Sequence, residues 1–263
     1  MRLHHLGDID STATTAILTG DPDRVPLLAD HLGKVVRQWS QRGYVLAETE
    51  VEGQPLLVCS TGIGGPSTAI AVEELAQLGV TRFVRVGTCG SIQRHINAGH
   101  VVISTGCVRD EGTSHQYLPP EYPAVPDFFL LRAIVDAAVE DGHAPFVGPT
   151  HCKDAYYAEK PDGFPLAGQW RERWAGLRAS RVLATEMEAA TLFAVATARD
   201  VRAAALFVAT DDTLSPERTR EILCAVAASA VRGALSTDAD SDTDTDTDSD
   251  GVGVGVGKKE EHL

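Results

Sequence analysis

Short apolar runs that stop at glycine recur along this chain, and stretches with helical spacing follow them. Ala16-Ile17-Leu18-Thr19 stops at Gly20, Pro55 to Ser60 stops in the turn from Thr61 to Gly65, and Phe83-Val84-Arg85-Val86 stops at Gly87. Runs this short, apolar on both faces, read as buried strands rather than helices. A helix is expected from near Pro22, and another from Ser67 or Thr68 through Ala69, Ile70, Val72, Leu75 and Leu78. Asp127 caps a third, with Phe128, Leu131, Ile134, Val135 and Val139 at its apolar positions. His100 to Ser104 and Leu206 to Ala209 read as strands, and Glu186 to Arg199 and Pro216 to Val231 as helices. Such alternation argues an α/β fold with a mostly parallel core sheet. Ligands of such sheets bind outside the carboxyl ends of the strands. The loops beginning at Gly20, Thr61, Gly87, Glu186 and Thr210 are therefore the places to look for chemistry.

Composition narrows the partners. With 263 residues, 43% hydrophobic and 23% charged, the chain matches an ordinary soluble protein that can bury a sizeable core. No apolar run approaches the roughly 20 residues of a membrane helix, and Met1 to Asp8 lacks the apolar stretch of a secretory signal. The expectation is a cytoplasmic protein without a membrane partner. Of the net charge of −14, half sits in Ser236 to Asp250, which holds seven Asp and no base. The body to Leu235, at about −7, is a poor surface for a phosphate backbone, so no nucleic acid is expected. Five widely spaced cysteines without a CxxC indicate neither disulfides nor zinc. Alternating Asp with Ser or Thr, then alternating Gly and Val, carries no core-forming pattern. Residues 1–235 are read as one folded domain and 236–263 as a disordered tail.

Two loops carry the signal of an anion. Gly20 lets backbone N–H groups approach a ligand, and Arg24 is placed to fork onto an oxyanion. An ordinary turn with a surface arginine is the bland alternative. Arg85 lies inside an apolar strand, which is costly unless it is paired or beside a ligand, and Thr88 adds a hydroxyl at the same strand end. Two arginines on two strand ends, each beside glycine, suggest one anion the size of phosphate. The glycine-rich stretch Ser60 to Ser67 lacks the GK[ST] ending of a P-loop and the acidic follow-up of a dinucleotide site.

GDPDRV at Gly20–Val25, STGIGGPSTAIAVEELAQLG at Ser60–Gly79, RVGTCGSI at Arg85–Ile92 and TEMEAA at Thr185–Ala190 occur in this order. In them the chain resembles the nucleoside phosphorylases of the uridine phosphorylase and hexameric purine nucleoside phosphorylase type, from His5 to about Ala234. The resemblance implies a single-domain three-layer α/β/α sandwich around a mixed, distorted sheet. It also implies a homo-oligomer, a hexamer built as a trimer of dimers with sites shared across the dimer interface. The implied reaction is attack of phosphate on C1′ of a nucleoside, giving ribose 1-phosphate and free base. By resemblance, Gly20, Arg24, Arg85 and Thr88 hold phosphate, with Arg42 lent by the neighbouring subunit. Met187 and Glu188 contact the ribose, and His5 crosses the interface to the 5′-hydroxyl. Fixed positive charge that orients phosphate and a carboxylate that fixes the sugar suit a ribosyl-cation transition state. Inorganic phosphate is the co-substrate and no cofactor is implied. Some bacterial relatives hold a monovalent cation with a Glu directly after the lent arginine. Gly43 stands there, so no metal is expected.

The base is read from departures. Uridine phosphorylases carry a Gln and an Arg just after an aromatic pair. Here Tyr156 keeps the stacking aromatic, the Gln position matches Glu159, and the Arg is absent. A carboxylate accepts the paired N1–H and N2–H of guanine and meets repulsion from the carbonyls of uracil. Asp211 resembles the acid of the purine enzymes that protonates N7, with Arg218 as its helper, and Glu186 joins Tyr156, Glu159 and Asp211 at the base. For that role Asp211 should be partly buried with a raised pKa; an Asp211-Asp212 helix cap is the other reading. Guanosine or inosine is the preferred expectation and uridine the alternative. A nucleosidase or a non-catalytic nucleoside-binding module stands further off. The phosphate role also predicts that Arg85→Ala abolishes turnover and leaves the fold intact.

Overall fold

The computed structural model describes residues 1–237, so the expected tail lies, from residue 238 on, outside the described residues. In chain order the elements are β1 (Arg2–Leu3), β2 (Gly7–Asp8), β3 (Thr15–Thr19), α1 (Arg24–Leu32), β4 (Lys34–Gln41), β5 (Tyr44–Val51) and β6 (Gln54–Ser60). Then come α2 (Gly65–Leu78), β7 (Arg82–Ser91), β8 (Val101–Asp110), α3 (Phe128–Glu140), β9 (Phe146–Lys153) and α4 (Ala167–Ala179). The described residues end with β10 (Ala184–Glu186), α5 (Ala189–Ala198), β11 (Arg202–Ala209) and α6 (Pro216–Ser236). β1 and β2 form a small ribbon; the other nine strands form one sheet ordered β10-β9-β8-β11-β7-β3-β6-β5-β4.

The strands are apolar on both faces because both faces are covered. On β3, Ala16 and Leu18 join a core with Val72 and Leu75 of α2 and Leu192 and Phe193 of α5. Ile17, between them, points the other way, to Leu28 of α1, Ile134 of α3 and Val226 of α6. The period of two along a strand makes this division. The result is the three-layer α/β/α arrangement that the resemblance implies.

The core of the sheet is mostly parallel, as expected, and the sheet as a whole is mixed, as the resemblance implies. β11 runs antiparallel to β8, and β4, β5 and β6 form an antiparallel meander. Its turns are Arg42-Gly43 and Glu52-Gly53, all four residues with φ between 51° and 86°. Two-residue turns of that hand join antiparallel neighbours, whereas a parallel pair needs a long crossover. β7 does not stop at Gly87. It runs on to Ser91, pairing parallel with β3 and β11 first and then antiparallel with β10 at Gly90 and Ser91. The expected helix from Glu186 begins only at Ala189, because Ala184–Glu186 is a short strand against β9 and β7. Asp127 caps α3 as expected, accepting from Leu130 N–H. The cap of α6 is Ser215, not the Asp211-Asp212 pair. Among the described residues no helix is long and apolar enough to cross a membrane.

Candidate active site

A cavity of about 640 Å³ opens at the carboxyl ends of β3, β7, β9 and β10. Gly20 and Arg24 line it from the loop after β3. Arg85, Thr88 and Gly90 line it from β7, Lys153 and Glu159 from the end of β9 and the turn after it, and Glu186 to Glu188 from β10 and the start of α5. Since β7 pairs with both β3 and β10, and β10 with β9, the β3 loop and the β9 end stand at opposite sides of this opening.

Arg85 is the centre of the charge. It is 4% exposed, and its guanidinium lies against two carboxylates: Nε donates to Glu186 Oε2 at 3.1 Å and Nη2 to Glu188 Oε2. Burial alone would lower its pKa, but the charges of Glu188 and Glu186 outweigh burial and raise it. Gly87 makes room, for a Cβ there would lie 2.9 Å from Arg85 Nη2. Among the described residues, Arg85 Nη1 is buried without a hydrogen-bond partner. A buried guanidinium N–H left over in a cavity is a donor waiting for an acceptor. Arg24, half-buried, holds Asp21 at 3.6 Å and faces the same cavity. Burial, ahead of the opposing pull of Asp21, lowers its pKa.

The two carboxylates are held differently. Glu186 accepts from the N–H groups of Glu188 and Ala189 at 2.9 and 3.0 Å, capping the start of α5. Burial raises its pKa against the pull of Arg85. With its oxygens bonded to Arg85 and the helix end, Glu186 holds Arg85 in place at the cavity wall. Glu188 accepts from Gly64 N–H at 2.6 Å, which ties the start of α2 to the start of α5. It lines the cavity and keeps lone pairs that can accept from a ligand there.

Of the residues expected at the site, Gly20, Arg24, Arg85, Thr88, Tyr156, Glu159, Glu186, Met187 and Glu188 meet in this one cavity. Asp211 does not. It is exposed, its Oδ1 accepts from Thr213 N–H at 2.7 Å and from the Thr213 hydroxyl, and these bonds, the hydroxyl's first, lower its pKa. The expected partial burial and raised pKa are thereby corrected: a turn, not a cavity wall, holds this carboxylate. Arg218 is also outside, exposed and paired with Glu221 at 2.8 Å. His5 is bonded through Nδ1 to Glu74 at 2.8 Å, and Arg42 lines a separate hollow with Arg2, Leu3, His4 and Gln41. These two are the residues expected to serve a neighbouring copy.

Lys153 escaped the sequence reading. Its side chain is 1% exposed, and Nζ pairs with Glu159 Oε1 at 2.7 Å and donates to Thr185 Oγ1 at 3.1 Å. The local signal is weak: Lys153 follows Thr150-His151-Cys152 and precedes Asp154, and Pro149 obscures the strand that carries it. This pair also corrects the case against uracil, which assumed a bare carboxylate at Glu159.

The chain is similar to known proteins along most of its length. The family model described as Phosphorylase superfamily matches residues 14–236. Uridine phosphorylase of Escherichia coli (strain K12) is 44% identical over 195 residues, covering 73% of this chain and 77% of that protein. Uridine phosphorylase of Treponema pallidum (strain Nichols) is 44% identical over 195 residues, covering 73% and 75%. Guanosine phosphorylase of Halorubrum lacusprofundi is 41% identical over 191 residues, again covering 73% and 75%.

Proposed function

The chain belongs to the phosphorylase superfamily, as a nucleoside phosphorylase, and from that premise we propose that it cleaves uridine with inorganic phosphate. A phosphate oxygen bonds to C1′, the C1′–N bond breaks, and its electron pair leaves with the base, which is then protonated. The products are free uracil and ribose 1-phosphate. The observation that carries the phosphate half is the unpartnered Nη1 of Arg85 in a cavity shared with Arg24, Gly20 and Thr88. Donors already aimed where charge gathers in the transition state need no reorganisation, and one such donor is worth about 3–4 kcal/mol. Glu188, fixed by Gly64 N–H and Arg85, accepts from the ribose hydroxyls. A water-using nucleosidase has no use for the two arginines.

Uridine is favoured for the base because that is the substrate named for both bacterial relatives above. Guanosine is the second reading. It is favoured by the named activity of the Halorubrum relative, and Glu159, with Oε1 held by Lys153, keeps Oε2 to accept from guanine. As part of the same proposal, copies of the chain pair so that His5 and Arg42 complete a neighbour's cavity. The test is base release from uridine, guanosine and inosine with and without phosphate. Phosphate-dependent release with the highest kcat/KM on uridine is expected. A purine maximum installs guanosine instead, and release indifferent to phosphate overturns the phosphorolysis.

A further inference from the structure

At the β9 side of the cavity a line of hydrogen bonds runs inward from the protein surface. Arg173 Nε donates to Asp110 Oδ2 at 2.6 Å, and the same oxygen lies 3.0 Å from His151 Nε2. His151 Nδ1 lies 3.0 Å from Thr185 Oγ1, to which Lys153 Nζ donates at 3.1 Å. The register allows this: Thr185 and His151 are partners across β10 and β9, and Asp110 and Lys153 across β8 and β9. Each proton has one consistent position. An ionised carboxylate only accepts, so His151 carries its hydrogen on Nε2 and offers Nδ1 as acceptor. The Thr185 hydroxyl then donates to Nδ1, and its oxygen is left to accept from Lys153. His151 is wholly buried, which favours this neutral form. The line therefore clamps the Lys153 ammonium from behind, while Glu159 Oε1 holds it at the front. Two of the three ammonium N–H groups are used, and the third is left for the cavity that Lys153 lines. Glu159 Oε2 lies over Gly90, where a Cβ would come within 3.3 Å.

We propose that Lys153 and Glu159 together grip the base edge, Lys153 donating to a carbonyl oxygen while Glu159 accepts the ring N–H beside it. The inference rests on the nucleoside phosphorylase reading and adds the residue that selects the base. A C=O next to a ring N–H occurs in uracil, guanine and hypoxanthine. Cytosine and adenine present the reverse, an amino group beside a bare ring nitrogen, so an N–H meets the ammonium and a lone pair meets the carboxylate. The pair thus selects oxo bases over amino bases and is blind to ring size.

The experiment measures kcat/KM with saturating phosphate for uridine, cytidine, guanosine and adenosine. In parallel, calorimetry measures binding of free uracil, cytosine, guanine and adenine. The parent is expected to favour the better oxo nucleoside over its amino counterpart of the same size at least about 100-fold, as sites built on buried hydrogen bonds do. Lys153→Met should lower that kcat/KM about 100-fold with the KM for phosphate within about twofold. Glu159→Gln, which can donate as well as accept, should narrow the oxo-to-amino ratio at least about tenfold. Glu159 is partly exposed, so this second variant carries the test if Lys153→Met fails to fold. A parent that treats cytidine like uridine and adenosine like guanosine, or variants that keep the parental ratios, would overturn the clamp. If no nucleoside is cleaved with phosphate, the phosphorylase reading fails instead, and the clamp is judged by whether the preferred oxo base still outbinds its amino counterpart.

Discussion

Arg85 carries both the site and part of the core, and this changes what its removal does. The sequence reading treats it as a ligand-binding arginine that can be deleted from an intact fold. In the structure it neutralises Glu186 and Glu188, both buried, so Arg85→Ala leaves two uncompensated carboxylates. Breaking a buried pair from one side costs about 3–5 kcal/mol. We expect Arg85→Ala to lose phosphorolysis and a comparable amount of stability in urea unfolding. Unfolding like the parent's would show that the carboxylates find other partners. The same logic separates Arg85 from Asp211. One charge is boxed in by the tertiary structure, while the other sits in a local turn with Thr213 that any exposed loop could form.

At the scale of elements, α2 organises the N-terminal segment. Glu74, on α2, accepts from the N–H groups of Leu6 and His5 and from the His5 ring, all at 2.8–3.0 Å. Burial pushes the Glu74 pKa up, but the Leu6 N–H and the two His5 bonds outweigh it and the net shift is downward. A carboxyl with a depressed folded pKa contributes stability above its unfolded pKa and loses it as pH falls through the folded value. The β1–β2 ribbon should therefore loosen on acidification below the ordinary carboxylate range, seen as faster amide exchange at His5 and Leu6. Glu74→Gln, with one acceptor oxygen in place of two, should bring the same loosening at neutral pH, worth about 1–3 kcal/mol. Equal exchange in parent and variant would mean that packing of Leu3 and Leu6, not Glu74, holds the ribbon.

At the scale of the whole molecule, a site completed by a neighbouring copy has a distinctive signature. Arg24 lines its own chain's cavity, while Arg42 sits at the tip of the β4–β5 hairpin in a separate hollow. If copies pair around a two-fold axis, Arg24→Ala and Arg42→Ala are each inactive alone. A mixed dimer then has one doubly defective site and one intact site. Refolding an equal mixture should return about a quarter of parental activity by random pairing in a two-fold dimer. No recovery on mixing would place both arginines at the same chain's site, or Arg42 at none.

The strands β3, β6 and β11, the glycine-ended loops and the order of the motifs follow from local sequence, because apolar runs, turns and caps are short-range physics. Gly20, Arg24, Arg85 and Thr88 were legible for the same reason: each lies at or within a few residues of a glycine that closes an apolar run. The meander of β4 and β5 was missed because β4 is mostly exposed and lacks an apolar run. The bond network around Arg85 joins residues about a hundred positions apart, and no local pattern encodes such a pairing. Lys153 makes the same point. As sequence it is one lysine near a proline; its meaning comes from Thr185, His151 and Asp110, brought together by three strands in register. Residue type and spacing determine which strand ends carry charge. Only the sheet order decides which charges meet, because pairing across strands depends on distance in space rather than along the chain.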